Sequence, residues 1–282
     1  MLRIVALLGF LTAILVSVGF VLGGILGMTI ALVIAVVINF VSYWYSSSIV
    51  IKIYGGRPSD NAELNRMVGD LAREAKLPVP KVYTIRSDVP NAFATGRNEQ
   101  NAVVAITEGL LALNKEEIEA VVAHELTHIK NKDMLVSAMA ATIAGAISYI
   151  AQLGYWSMFM GNGRKDESSI IGLILIIVFA PLAALLIRMA ISRTMEYKAD
   201  YGAAQLTKKP RALASALRKI NDIASHKPLR GASATSHMWI VNPFGKNWFT
   251  GLFSTHPPME RRIKRLEDME HRGLGSRAWV DD

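Results

Sequence analysis

The sequence of 282 residues is 51% hydrophobic and only 19% charged, with a mean hydropathy of +0.29. An ordinary soluble domain carries closer to ~25% charge, so the apolar residues must be gathered into segments of their own. The chain has no cysteine, which excludes disulfides and thiolate metal sites. Its net charge of +8 comes from Lys and Arg crowded beside charge-free stretches, the pattern of a membrane protein's cytoplasmic flanks rather than of a nucleic-acid groove.

The first charge-free stretch lies between Arg3 and Lys52. As one helix it would be about 72 Å long, more than twice the hydrocarbon thickness. It is therefore expected to fold back at Gly23-Gly24 into a transmembrane hairpin, with Tyr43, Trp44 and Tyr45 as an interfacial aromatic belt. A cleaved signal peptide is the alternative for the first span, but a second span follows at once and no small-x-small cleavage site stands out.

A polar portion comes next. Residues 59–77 read as an amphipathic helix with Leu64, Met67, Val68 and Leu71 on one face, ended by Pro78 and Pro80. Residues 81–85, 91–96 and 102–107 read as three strands. Asn114 with Glu117 forms a capping-box pattern and opens a helix that runs through Ile118, Val121 and Val122. On that helix stands His124-Glu125-Leu126-Thr127-His128. Positions i and i+4 share a helix face, so two imidazoles can grip one zinc ion while Glu125 reaches a water beside it. Asp133 either orients part of this helix or makes a helix-terminal hydrogen bond.

Two more charge-free stretches follow, between Asp133 and Arg164 and between Glu167 and Arg188. The first is rich in small residues; the second contains Pro181, tolerable in a membrane helix. They form a second transmembrane hairpin or a buried one, and length favours spanning. Beyond them Glu196 and Asp200 lie four residues apart and share a helix face. One can complete a three-ligand zinc site while the other accepts the remaining ring N–H of a histidine; a solvated acidic pair beside Arg193 and Lys198 is the bland alternative. Trp239, Phe244, Trp248 and Phe249 sit in a loop-like stretch and read as packing or interfacial contacts. His226, His237 and His271 receive no role.

The HExxH segment through Asp133, the later ExxxD of Glu196 and Asp200, the N-terminal hairpin and Ser254-Thr255-His256-Pro257-Pro258 together resemble peptidase family M48, in its HtpX branch of prokaryotic heat-shock membrane proteases. The resemblance covers essentially the whole chain. It implies a mainly α fold with a small β-sheet, a gluzincin-like zinc metalloprotease domain fused to transmembrane helical hairpins. It also implies one zinc ion per chain on His124, His128 and Glu196, Asp200 behind a ligand, and Glu125 as the general base. His256, which alone would read as a helix-entry residue, is similar to the histidine that donates to the oxyanion. Asn91, Ala92 and Phe93, otherwise an ordinary turn and strand, resemble the edge strand that pairs with an extended substrate. Arg262 would buttress the acidic residues.

The organisation expected is an N-terminal hairpin (1–51), a first protease portion with the sheet and HExxH helix (52–133), a second hydrophobic hairpin (134–190) and a second protease portion with the ExxxD helix (191–282). The implied protein is a multi-pass enzyme of the cytoplasmic membrane with its site facing the cytoplasm. Its expected partners are the lipid bilayer and polypeptide substrates, misfolded or damaged membrane proteins foremost, with no nucleic acid. Two alternatives stand beside this: a CAAX-type prenyl-protein protease, for which the chain has few hydrophobic segments, and a transporter or scaffold with an incidental zinc site, against which the charge-free spans argue.

Overall fold

A computed structural model describes residues 2–135, 193–226, 240 and 257–272. Within them the chain is mostly helical with one small sheet. It divides into two compact units, Met1–Trp44 with Met139–Ala190, and Tyr45–Ala138 with Ile191–Asp282. The expected second hydrophobic hairpin and His256 fall outside the described residues, as do His237, Trp239, Phe244, Trp248 and Phe249.

Helix α1 is assigned without interruption over Leu2–Ile53, where the sequence suggested two spans separated by a turn. Two observations bear on the course of the chain within it. Gly24 has φ +57°, a left-handed value that interrupts helical geometry and that glycine alone adopts cheaply. The Asn39 side-chain amide donates to Thr12 Oγ1 at 3.0 Å across 27 positions, which would lie about 40 Å apart on a straight helix. The chain therefore reverses between Thr12 and Asn39. Its apolar side chains face outward: Ile25, Leu26, Val33, Val36 and Phe40 are all exposed.

The second unit holds the sheet, in the order β1-β2-β4-β3: β1 (Arg57–Pro58), β2 (Lys81–Ile85), β3 (Ala92–Thr95) and β4 (Val103–Thr107). Strand β4 runs parallel to β2, with Lys81 opposite Val103, and antiparallel to β3, with Ala92 opposite Ile106. Its Val103-Val104-Ala105-Ile106-Thr107 run is buried throughout, as expected of a strand covered on both faces. Helix α2 (Ala62–Glu74) starts later than its apolar pattern suggested. The Ser59 amide bonds to Val82 O in the sheet and Asn61 Oδ1 caps the Leu64 amide at 3.0 Å, so helix begins only after that cap.

Helix α3 (Lys115–Lys130) is the centre of the unit. Asn114 and Glu117 form the capping box reciprocally, and Glu117 also accepts from Ser215 Oγ at 2.6 Å and Lys219 Nζ at 2.9 Å on α5 (Pro210–His226). The helix start is thus clamped to its neighbour. Ala120, Val121, Val122, Ala123, Leu126 and Ile129 are all fully buried, and Glu117, His124, Glu125 and Thr127 are buried with them, so α3 is a core helix that carries polar side chains inward. Against it pack α2, α4 (Arg193–Thr207), α5 and β3, while α6 (Met259–Arg272) packs on α4 and α5.

Candidate active site

On α3, His124 and His128 stand one turn apart with ring centroids 4.7 Å apart and planes at 87°. Their Nε2 atoms are 3.1 Å from each other. Glu196, near the start of α4, brings its carboxylate to both: Oε2 is 3.7 Å from His124 Nε2 and Oε1 is 3.6 Å from His128 Nε2. Three ligand atoms around one tetrahedral zinc at ~2.0–2.2 Å would be separated by about 3.3–3.5 Å. The observed spacings bracket that value, and the three residues offer one ligand atom each within 4.8 Å of one another.

Charge balance points the same way. Glu125, Asp133, Glu196 and Asp200 are four buried carboxylates, and among the described residues the cations set against them are Arg262 and a protonated His128, which leaves the anions in excess. Buried anions in excess are costly unless a cation compensates them. The donor set, the spacing and the local charge all fit a divalent ion.

The surroundings orient these side chains. His124 Nδ1 lies 3.0 Å from Asp200 Oδ1, within ion-pair range although off the line of an ideal N–H···O bond. His128 Nδ1 lies 3.2 Å from Asp133 Oδ2. Arg262, with 0% exposure, donates from Nε to Asp200 Oδ2 at 2.8 Å and from Nη2 to Asp200 Oδ1 at 2.7 Å, and its Nη1 is 3.0 Å from Glu196 Oε2. Burial alone would raise the Asp200 carboxyl, but Arg262 and His124 outweigh it and hold it below the usual range. Burial likewise opposes a charge on His128, yet the hydrogen bond to Asp133 and the charges of Glu196 and Glu125 push it up to about 9.

Glu125 projects from α3 toward the sheet. Its Oε2 accepts from the Ala94 amide at 2.8 Å. The alternation of the β3–β4 ladder sets this up: the Thr107 amide donates to Asn91 O, so every second residue, Ala92 and Ala94 among them, turns its backbone groups away from β4. Burial raises the Glu125 carboxyl, against the two histidines that lower it.

Strand β3 lies at the edge of the sheet, and its residues 91–93 are buried rather than exposed. Asn91, Ala92 and Phe93 are at most 4% exposed, and Asn91 Oδ1 accepts from the chain's own Ile240 amide at 2.9 Å. Phe93 packs against Tyr54 with ring centroids 5.5 Å apart. The structure thus brings His124, Glu125, His128, Glu196, Asp200 and the strand together. Sequence reading left Arg262 with only a loose buttressing role; its place in an amphipathic helix six residues past His256 was the available signal. The Ala94 amide carried no signal, because a backbone donor has none.

Comparison with known proteins agrees with this geometry. Residues 58–270 match the model of peptidase family M48. The chain is 52% identical to the protease HtpX homolog of Pyrococcus abyssi, over 92% of both chains, and 49% identical to that of Thermococcus sibiricus, over 97% of both. It is 48% identical to the one from Syntrophotalea carbinolica, over 95% of this chain and 98% of the relative. Its fold is similar to the crystal structure of S. mikatae Ste24p, with a TM-score of 0.51 at 19% identity, covering 83% of this chain and 57% of that one.

Proposed function

The chain belongs to peptidase family M48, on the branch of the HtpX homologues, and is a membrane metalloendopeptidase; we propose that it uses one zinc ion to hydrolyse peptide bonds in misfolded or damaged membrane proteins at the cytoplasmic face of the membrane. The observation that carries this is the buried convergence of His124, His128 and Glu196 with Glu125 alongside.

His124 and His128, through Nε2, and Glu196, through one carboxylate oxygen, would hold the zinc. When bound, the ion supplies a Lewis acid that polarises the scissile carbonyl and acidifies a neighbouring water. Glu125 is held by its Oε2 on the Ala94 amide, which directs its other oxygen to take a proton from the attacking water and then pass it to the leaving amine. Its burial raises its proton affinity, which suits a base that must also act as an acid. His256 would donate to the oxygen that becomes negative, and removing one such donor typically costs ~2.7–4 kcal/mol of barrier. Asp200 and Arg262 hold His124 and Glu196 in place. The outward-facing backbone of Ala92, with Asn91 and Phe93 beside it, would pair with an extended substrate, which must then take over the position at Asn91 where the Ile240 amide bonds.

Residues 1–51 would anchor the enzyme. Gly24–Val41 has a mean hydropathy of 2.5 and is long enough to cross a bilayer, and the reversal between Thr12 and Asn39 supports two crossings. Residues 134–190 would supply a second hairpin. The Lys- and Arg-rich portions 52–133 and 191–282 would then share the cytoplasmic side. Casein hydrolysis by the detergent-purified protein, by Glu125→Gln and by the chelated protein tests the chemistry. Activity in the first alone is expected, and equal activity in all three would end the reading.

A further inference from the structure

We infer that Asp133 is a positioning residue for the metal centre, fixing the ring of His128 from the left-handed turn that follows α3; this rests on His124, His128 and Glu196 being the ligand set.

The geometry is specific. Helix α3 ends at Lys130, and the Asn131 amide still bonds to Thr127 O at 2.9 Å. Lys132 then takes φ +62°, a left-handed conformation that is uncommon for a residue with a side chain and is usually given to glycine at a helix end. In an uninterrupted helix Asp133, five residues past His128, would lie about 140° around the axis from it. The left-handed turn instead folds the chain back, so that Asp133, only 9% exposed, sets Oδ2 at 3.2 Å from His128 Nδ1.

The consequence is a matched pair of supports. Asp200 on α4 backs His124 from one side, and Asp133 at the end of α3 backs His128 from the other. With Nδ1–H donated to Asp133, the lone pair of His128 stays on Nε2, which faces Glu196 Oε1 and His124 Nε2. A carboxylate behind a ligand histidine fixes its tautomer and raises its donor strength, and losing one typically lowers metal affinity ~10–100-fold. Asp133 also begins the next helical turn, so a purely helix-terminal role is the rival account. That account places the loss in folding stability and not in metal affinity.

The test measures zinc affinity of the full chain in detergent by competition with a chromophoric chelator, alongside the thermal midpoint of the metal-free protein. At a pH where the ring of His128 is neutral in both proteins, Asp133→Ala should bind zinc ~10–100-fold more weakly, with an unchanged metal-free midpoint. Asp133→Asn, which still accepts the hydrogen bond, should recover part of that loss. Lys132→Gly, which relieves only the turn, should bind zinc as the parent does. Zinc affinity of Asp133→Ala within threefold of the parent, or a metal-free midpoint that falls while affinity holds, overturns the assignment. Glu196→Ala separates the two levels: if it too keeps its zinc, the ligand set itself is wrong, whereas if it loses zinc and Asp133→Ala does not, only the role of Asp133 fails.

Discussion

Arg262 Nη1 sits 3.0 Å from Glu196 Oε2 while the other face of the same guanidinium grips both oxygens of Asp200. One fully buried side chain from α6 therefore fixes two carboxylates on successive turns of α4. Only a planar fork with several donors can do this; a lysine ammonium is a point charge on a flexible stem. Removing one partner of a buried ionic cluster typically costs ~3–5 kcal/mol, because the remaining charges are left unpaired. Arg262→Ala is accordingly expected to lower stability by about that amount, and Arg262→Lys to recover only part of it. Chemical unfolding of the three proteins checks this; an unperturbed Arg262→Ala would mean that Glu196 and Asp200 are held by something else.

A second prediction concerns how α4 reaches α3. A Cβ on Gly202 would lie 2.4 Å from Thr127 Cγ2 and 2.8 Å from Thr127 Oγ1, so Gly202→Ala must push the helices apart. Overpacking of this kind costs ~1–3 kcal/mol, and it moves Glu196 away from the histidines, so zinc affinity should fall with stability. Thr127→Ala removes both clashing atoms. The double variant should recover much of the loss, a non-additivity that a double-mutant cycle reads directly. Additive losses would place the strain elsewhere.

Acid–base behaviour of the metal-free site gives a third. His128 is pushed up to about 9 in the folded chain, where burial is outweighed by Asp133, Glu196 and Glu125, against ~6.5 for an unperturbed histidine. It is protonated at neutral pH, but a metal binds only the neutral ring. Zinc binding at pH 7 should therefore release a proton, and apparent affinity should rise roughly tenfold per pH unit up to about 9. The same raised value stabilises the metal-free fold fully below ~6.5 and loses that contribution as pH climbs through the folded value. Calorimetric titration in buffers of different ionisation enthalpy counts the proton; a pH-independent affinity contradicts the prediction.

Glu117 supplies a fourth, remote from the catalytic chemistry. Burial would raise its carboxyl, but Lys219, Ser215 and the Asn114 amide together hold it below its usual value. Its contribution is present above ~4.5 and disappears as pH falls through the lowered value. Glu117→Gln should therefore lose about 1 kcal/mol at pH 7 and less at pH 3. Thermal midpoints at the two pH values decide it, and a difference undiminished in acid would point to lost packing instead.

The residues that write local structure were readable in advance. The capping box at Asn114 and Glu117, the strand run of β4 and the i, i+4 histidines each depend on neighbours a few positions away. Even Glu196 with Asp200 was visible, because a second pair at helical spacing is itself a local pattern. What the residues alone could not show depends on partners far along the chain. Arg262 was set beside the acidic residues only through the family resemblance, since Asp200 and Glu196 lie 62 or more positions away. Gly202 looks like a weak point in α4 until Thr127 fills the space where its side chain would be. Strand β3 was legible as a strand but its burial was not, since the contact at Ile240 comes from 149 positions away.

The central claim is that His124, His128 and Glu196 hold one catalytic zinc, and anomalous scattering from crystals of the active full-length enzyme across the zinc absorption edge tests it most directly. The account requires a single strong peak at ~2.0–2.2 Å from His124 Nε2, His128 Nε2 and a Glu196 carboxylate oxygen, vanishing in Glu196→Ala. A peak bound by other residues, or none in a preparation that still cleaves casein, would contradict it.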